Sequence, residues 1–235
     1  MKLSVILPTY NEKEAIVLLI REIIQVLATV PQPYEIIIVD DNSPDGTYQE
    51  VVSNFTDNPA VVPLLRTHER GLASAILFGI RHSTGDKLVI MDTDFNHPPK
   101  LIPLMSVITD FFDIAIGSRY VVGGGMETSK SRYIGSKIFN KFIQYLLVVQ
   151  TKDNLSGFFC FNRKILENIH LEKIFYGYGD YFIRFLYVMQ RLKKTIIEIP
   201  VVYEDRQGGL SKTRLSIELF NYTKSVIKIR LGIDR

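Results

Sequence analysis

The sequence predicts an α/β fold: a mainly parallel, Rossmann-like sheet flanked by helices, with amphipathic helices in the C-terminal half. Three observations carry this reading. Short β-rich runs alternate with stretches of helical periodicity over the first 120 residues, the rhythm of a parallel sheet with crossover helices. The run at 35–39 is nearly continuous in isoleucine and valine, as befits a strand covered on both faces. Acidic and polar residues gather where several such runs end, and open α/β sheets bind ligands beyond the carboxyl ends of their strands.

The elements follow in order. A first strand covers 3–7 and stops at Pro8. A helix over 12–28 carries Ile16, Leu19, Ile20, Ile23, Ile24 and Leu27 at helical spacing. The strand at 35–39 gives way to the turn-rich Asn42-Ser43-Pro44-Asp45-Gly46 and a further helical stretch. Strands are expected at 61–66, 87–91 and 114–117, with helices over 71–83 and 101–112. Past Arg119 the rhythm changes. Val122-Gly123-Gly124-Gly125-Met126 is a loop. A helix over 136–149 has an unusually wide apolar arc. Ser156-Gly157-Phe158-Phe159 is a turn entering an apolar strand within 153–162. A helix at 181–192, a strand at 195–202, a loop at Gln207-Gly208-Gly209 and a last helix over 211–231 complete the chain. No repeat, low-complexity tract or linker interrupts it, so 1–235 is read as one domain.

Composition bounds the function. With 235 residues, 46% apolar and 23% charged, the chain is globular and can bury a core without a covalent staple. The single cysteine, Cys160, forms no internal disulfide and reads as a small buried apolar residue in a reducing compartment. A formal charge of +3 does not point to nucleic acid. The amino terminus lacks a signal-peptide pattern, and no segment approaches the ~20 apolar residues of a bilayer span. A soluble or peripheral cytoplasmic protein is expected.

Three strand ends carry the polar groups: Pro8-Thr9-Tyr10-Asn11-Glu12, Asp40-Asp41-Asn42-Ser43 and Asp92-Thr93-Asp94-Phe95-Asn96. None is a G-x-G-x-x-G loop, which makes the dinucleotide reading poor, and no G-x-x-x-x-G-K-[ST] occurs, which removes the P-loop reading. A nucleotide held here needs carboxylates, a metal and cations from elsewhere in the chain. Asp92 and Asp94 lie two residues apart after Val89-Ile90-Met91 and project to one side of an extended segment. They are hard oxygen donors for a divalent ion that also touches a diphosphate. A lone D-x-D is usually a solvated turn; this one follows an apolar strand and precedes His97-Pro98-Pro99.

The segment 92–99 resembles the D-x-D-x-Q-H-P-P block of the dolichyl-phosphate and polyprenyl-phosphate mannosyltransferases, inverting family 2 glycosyltransferases with the GT-A fold. The resemblance extends to Pro8-Thr9-Tyr10-Asn11-Glu12, to 39–47, to Arg70-Gly71-Leu72-Ala73-Ser74-Ala75 and to Gly117-Ser118-Arg119-Tyr120. Ser156-Gly157-Phe158-Phe159 and Asp205-Arg206-x-x-Gly209-x-Ser211-Lys212 complete it. It implies a nucleotide-sugar-binding half, 1–120, and an acceptor half, 121–235. By resemblance Pro8, Tyr10, Glu12, Asp40, Asp41 and Asp92 bind the donor. Asp92, Asp94 and Asn96, which stands where the family has glutamine, hold Mg²⁺ or Mn²⁺. Arg119, Arg132 and Ser136 grip the acceptor phosphate, and Arg206 and Lys212 the donor diphosphate. Asp94, Arg119, Arg132, Arg206 and Lys212 make up the implied catalytic set. Arginine suits these roles because it meets phosphate with two charge-assisted hydrogen bonds. The usual tryptophan four residues before the second arginine is Thr128 here.

The implied reaction moves mannose from GDP-mannose onto a polyprenyl (dolichyl) phosphate with inversion. Alternatives are UDP-glucose or another nucleotide sugar as donor, a non-lipid acceptor, or a non-catalytic nucleotide-sugar-binding module. Lipid access is expected through a membrane-facing side of the helices over 136–149 and 211–231, where Lys224 and Lys228 adjoin Ile217, Phe220, Ile227 and Leu231. The protein would sit on the cytoplasmic face of a membrane, with a membrane-anchoring protein or a second copy left open as partner. His97 is expected to brace the acidic turn. Asp180 is expected to cap a helix, with a sugar contact as the alternative.

Overall fold

A computed structural model of the chain describes residues 1–127, 130–203 and 215–233, without the side chains of 215–217. Thr128, Arg206 and Lys212 therefore lie outside the described residues. Nine strands and seven α-helices are found among those described. The strands are β1 (Leu3–Thr9), β2 (Tyr34–Asp40), β3 (Val61–Leu65), β4 (Lys87–Ile90), β5 (Ile114–Ser118), β6 (Gly125–Met126), β7 (Phe159–Asn162), β8 (Ile196–Pro200) and β9 (Val202–Tyr203). The helices are α1 (Lys13–Leu27), α2 (Thr47–Phe55), α3 (Leu72–His82), α4 (Ile102–Ile108), α5 (Lys130–Leu147), α6 (Tyr181–Arg191) and α7 (Leu215–Leu231).

Seven strands form one sheet in the order β3-β2-β1-β4-β7-β5-β8. Six run parallel; β7 runs against both neighbours, with Cys160 opposite Val89 on one side and Ala115 on the other. The chain winds outward from β1 to β3, then returns to place β4 on the other side of β1. The crevice beyond the carboxyl ends of β1 and β4 is thus the switch point where such sheets bind ligands.

Alternation along each strand decides what covers it. Val5, Leu7, Ile36 and Ile38 face α1, which presents Ile16, Leu19, Ile20 and Ile23. Ile6, Ile37, Ile90 and Phe159 face the other layer, built from Ile76 and Ile80 of α3 and Phe182, Phe185 and Met189 of α6. With both faces covered, the strands must be apolar throughout. A third cluster joins Phe139, Ile143 and Leu147 of α5 to Ile183 of α6 and Val226 and Ile229 of α7. Cys160 is fully buried, and burial pushes its thiol up to about 12, so it is inert as expected.

Most bounds shift by a residue or two (β1 runs past Pro8 to Thr9), the loop at 122–126 holds the two-residue β6, and three elements differ further. The helix expected over 101–112 is a 3₁₀ turn at Pro99–Leu101 followed by α4. It ends early because Thr109 Oγ1 and the buried Lys87 Nζ both donate to the Ser106 carbonyl. The helix expected from 136 begins at Lys130, so Arg132 and Ser136 lie on a helix. The strand expected over 195–202 breaks at Val201: β8 ends at Pro200, and β9 pairs in parallel with β6 as a separate two-stranded sheet.

Gly79 marks where α3 lies closest to the sheet. A Cβ there would stand 2.5 Å from Ile6 Cγ2 and 3.1 Å from Val39 Cγ2. Helix propensity favours alanine by about 1 kcal/mol, while overpacking a core costs about 1–3 kcal/mol. Gly79→Ala is therefore expected to lower the urea midpoint, by up to ~2 kcal/mol in stability. A raised midpoint would contradict the close approach.

Candidate functional site

The first two strand ends are tied together before they bind anything. Asn11 takes a left-handed conformation (φ 55) after β1, and its N–H donates to Ser43 Oγ at 2.9 Å. The Glu12 N–H donates to Thr47 Oγ1 at 3.0 Å, and that hydroxyl donates to Asp45 at 2.6 Å. Ser43 is held in turn by Asp40, which accepts its N–H at 2.8 Å and its hydroxyl at 2.6 Å. Much of the block 40–47 is therefore a brace. Asp40 is fully buried, and its carboxyl lies above the usual range through burial, opposed by the Ser43 bonds. Its neighbour Asp41 points the other way and lines the cleft.

Asp41 is fixed by two partners. Its Oδ1 accepts from Arg66 Nε at 2.6 Å, and its Oδ2 accepts the Gly71 N–H at 2.8 Å. Arg66, 5% exposed, also donates to Ser74 and to the Gly71 carbonyl, so it locks the ends of β2 and β3 to the start of α3. The Arg70 guanidinium lies 3.5 Å from the centre of the Tyr10 ring, a cation–π contact at the cleft wall.

The acidic turn after β4 bends at Phe95, which is left-handed (φ 64). This folds Asn96 back on Asp94: its N–H and its side-chain NH₂ donate to the two Asp94 oxygens at 3.2 and 2.8 Å. The turn is braced from below by His97, 1% exposed. His97 Nδ1 accepts the Asp92 N–H at 2.8 Å. Its other nitrogen must then carry the proton, and it faces the Ser156 carbonyl at 3.1 Å and the Tyr203 hydroxyl at 2.8 Å. The ring stacks on Phe158. Both ring nitrogens are thereby engaged, and His97 braces the turn as expected.

Arg119 stands on the far side of that brace. It is 6% exposed and grips the fully buried Asp153 with Nε and Nη2 at 2.8 and 2.7 Å. Burial disfavours the guanidinium charge, but the Asp153 carboxylate more than offsets it and raises its pKa. The Tyr203 ring lies 4.7 Å away and connects Arg119 to His97. Ser136 shares a side-chain hydrogen bond with Tyr120, and Tyr133 on the same helix donates to the Arg119 carbonyl at 3.3 Å. Arg132 lies on the exposed first turn of α5.

Pro8, Tyr10, Glu12, Asp41, Asp92 and Asp94 therefore converge on one cleft of ≈ 530 Å³. Asp40 and Asn96 are not among its lining residues, and neither are Arg119, Arg132 and Ser136; Arg119 connects to the acidic turn through Tyr203 and His97. Thr9 is a lining residue of the cleft, and its buried Oγ1 has no hydrogen-bond partner among the described residues. Among these residues no three His, Cys, Asp or Glu side chains could hold a metal ion. Asp92 and Asp94 form a two-carboxylate oxygen set that fits a divalent cation, while the Asn96 NH₂ is turned onto Asp94. Asp180 occupies the N-cap position of α6 as expected, but its side chain makes no capping bond: its carboxylate accepts from Arg184 at 2.5 Å and from the Tyr178 N–H at 3.1 Å. The sequence reading had not singled out Arg66, Asp153, Tyr203 or Glu218. Asp153 had a signal, standing three residues before the Ser156-Gly157-Phe158-Phe159 motif.

Burial holds the His97 pKa down to about 4 from 6.5, with Asp94 opposing and Arg119 assisting. A depressed histidine pKa means the unfolded chain binds the proton first, so the contribution is complete above pH 6.5 and lost as pH falls towards 4. Unfolding free energy attributable to this residue is expected to drop by roughly 3 kcal/mol across that window. Its imidazole NMR signals should stay in the neutral form down to near pH 4. Titration near 6.5 in the folded protein would refute the bracing role.

Residues 4–170 match the family model "Glycosyl transferase family 2". The chain is 34% identical over 97% of its length to a dolichol-phosphate mannosyltransferase of Pyrococcus furiosus, and spans 64% of that relative. It is 32% identical over 90% of its length to an undecaprenyl-phosphate mannosyltransferase of Micrococcus luteus, covering 87% of that protein. Among solved structures, glucosyl-3-phosphoglycerate synthase from Mycobacterium tuberculosis in complex with Mn²⁺ and UDP-glucose superposes with a TM-score of 0.74. That match covers 98% of this chain and 79% of the other at 16% identity, a likeness of fold. The seven-stranded sheet and the acidic turn at its switch point thus have their counterpart in sequence, and the chain belongs to glycosyl transferase family 2.

Proposed function

We propose that this domain transfers a hexose, mannose from GDP-mannose, to a polyprenyl phosphate with inversion at the anomeric carbon. The observation that carries the reading is the meeting of the Asp92/Asp94 turn with Pro8, Tyr10, Glu12 and Asp41 in one cleft. The names of the Pyrococcus and Micrococcus relatives support the class of sugar and acceptor. Residues 1–120 form the donor half and 121–235 the acceptor half. Tyr10, Glu12 and Asp41 hold the nucleoside. Asp92 and Asp94, with Asn96 on the same turn, would hold Mg²⁺ or Mn²⁺, which would offset the charge of the departing diphosphate. Arg119, aimed by Asp153, and Arg132 with Ser136 receive the acceptor phosphate; Arg206 and Lys212 complete the diphosphate site. The acceptor oxygen is already anionic at neutral pH, so no strong general base is needed. That oxygen bonds to the anomeric carbon as the bond to the nucleoside diphosphate breaks, and the chain's task is to hold two anions in line.

The acceptor is a lipid, and no helix among the described residues is long and apolar enough to cross a membrane. The outward side of α5 and α7 exposes Ile134, Ile138, Tyr145, Phe220, Ile227 and Leu231, while Phe139, Ile143, Val226 and Ile229 pack inward. In this reading that outer side rests on the cytoplasmic face of an anionic membrane, with Lys224 and Lys228 at the headgroups.

The reading is tested with GDP-mannose and UDP-glucose, each with and without a short polyprenyl phosphate. GDP-mannose turnover that requires both the lipid phosphate and Mg²⁺ or Mn²⁺ is expected. Asp94→Ala should lose at least about 100-fold in kcat with the fold intact by circular dichroism. Transfer that survives exhaustive chelation would remove the cation from the scheme, and transfer only from UDP-glucose would change the donor.

Lys224 and Lys228 should each contribute about 1 kcal/mol to membrane binding. Reversing both to glutamate is expected to weaken sedimentation with anionic vesicles by ~30-fold or more. Turnover of the short, water-soluble acceptor should not change. Undiminished sedimentation would return α7 to the role of an ordinary packed helix.

A further inference from the structure

Glu218, in the first turn of α7, lines the same cleft as Asp92, Asp94 and Tyr178. Its Oε2 is buried and has no hydrogen-bond partner among the described residues. Burial raises its carboxyl above the usual range, and the charge of Asp180 raises it further. A buried acceptor left without a donor is unfavourable, and α7 is held in place from one turn beyond Glu218 onward. Arg184, on α6, donates to Asp180 at 2.5 Å and across to Ser225 Oγ on α7 at 3.0 Å. The Tyr222 hydroxyl, one helical turn beyond Glu218, presses on Gly179 so closely that no Cβ would fit there. Val226 and Ile229 continue the same row into the third core cluster.

The chemistry narrows what the carboxyl can meet. A phosphate would be repelled, and no third metal-ligating carboxylate or imidazole joins Asp92 and Asp94 among the described residues. An adjoining hollow of ≈ 320 Å³, lined by Tyr10, Asp41, Arg66 and the 67–70 loop and not by Glu218, has room for the nucleoside base of the proposed donor. Beside Asp92 and Tyr178 the carboxyl suits a neutral ligand rich in O–H donors.

We infer that Glu218 is a specificity-determining residue that accepts a hydrogen bond from a ring hydroxyl of the transferred hexose. The inference rests on the glycosyl-transfer reading above. It assigns the sugar end of the cleft to α7, so the helix with the exposed outer face also reads the donor.

The test compares wild type, Glu218→Ala and Glu218→Gln on whichever of GDP-mannose and UDP-glucose the wild type uses better. Analogues of that donor deoxygenated in turn at each sugar hydroxyl are included. Calorimetric binding of the free nucleoside diphosphate and the thermal midpoint serve as controls. Wild type is expected to discriminate against one deoxy donor by roughly 10- to 100-fold in kcat/KM. Glu218→Ala should lose a similar factor on the intact donor and no longer discriminate at that one position, while keeping discrimination at the others. Glu218→Gln, which retains an acceptor oxygen, should recover part of the loss. Nucleoside diphosphate affinity and thermal midpoint should be unchanged. If Glu218→Ala keeps wild-type discrimination at every position, or loses diphosphate affinity as much as turnover, the assignment is overturned. Wild type that transfers neither sugar would instead bring down the glycosyl-transfer reading, and this inference with it.

Discussion

The site depends on one neutral imidazole. His97 accepts from the Asp92 backbone and faces the Ser156 carbonyl and the Tyr203 hydroxyl, so a single ring joins the turn after β4, the entrance to β7 and the short strand β9. Only the neutral ring can do this, because it needs one lone pair and one N–H at the same time. Protonation would destroy the acceptor that fixes Asp92. Burial keeps the ring neutral, and the opposed influences of Asp94 and Arg119 leave that balance to burial. The antiparallel course of β7 is what makes the contact geometrically available. Running opposite to its neighbours, it begins where they end, and so delivers Ser156 to the ligand-binding edge of the sheet.

Two buried arginine–carboxylate pairs use the same device on either side of this knot. Arg66 holds Asp41, and Arg119 holds Asp153. Such pairs are costly to desolvate and add little net stability. Their value is orientation, since a planar guanidinium held at two nitrogens cannot rotate. In the first pair the carboxylate is the member that lines the cleft. In the second the arginine is the member in question, with Nε and Nη2 committed to Asp153 and the charge left to act through its remaining edge.

Much of the architecture was legible because it obeys simple periodicities. The strands at 3–7, 35–39, 61–66 and 87–91 and the helices over 12–28 and 71–83 are bounded by turn residues and carry unmistakable patterns. The antiparallel sense of β7 was not legible. Phe159–Asn162 is buried on both faces, and a run without alternation says nothing about direction. The start of α5 was missed because Lys130-Ser131-Arg132-Tyr133 is polar and makes no apolar stripe. In the site, the cleft-lining role of Asp41 and the bracing role of Asp40 could not be separated by type or spacing. Adjacent residues at a strand end point to opposite sides, and only the packing of Ser43 decides which side faces the ligand. Arg66 and Asp153 were invisible for a related reason: their partners lie 25 and 34 residues away, and no local pattern announces a long-range ion pair.

Helix α7 shows how one element can serve two environments. Glu218, Tyr222, Ser225, Val226 and Ile229 recur at intervals of three and four residues and form its inner side, which runs from the cleft into the core. Phe220, Lys224, Ile227, Lys228 and Leu231 repeat the same spacing about two residues out of phase, roughly 200° around the helix. The inner row is fastened by Arg184 and Gly179, while the outer row carries exposed Phe220 and Leu231. On the reading proposed for both faces, the surface that meets the membrane and the carboxyl that meets the sugar share one rigid rod. A lipid phosphate arriving from that membrane would then meet Arg119 and Arg132 at a height set by the same helix that positions the donor. Register between the two substrates would follow from the packing of Val226 and Ile229 rather than from any contact between the ligands themselves.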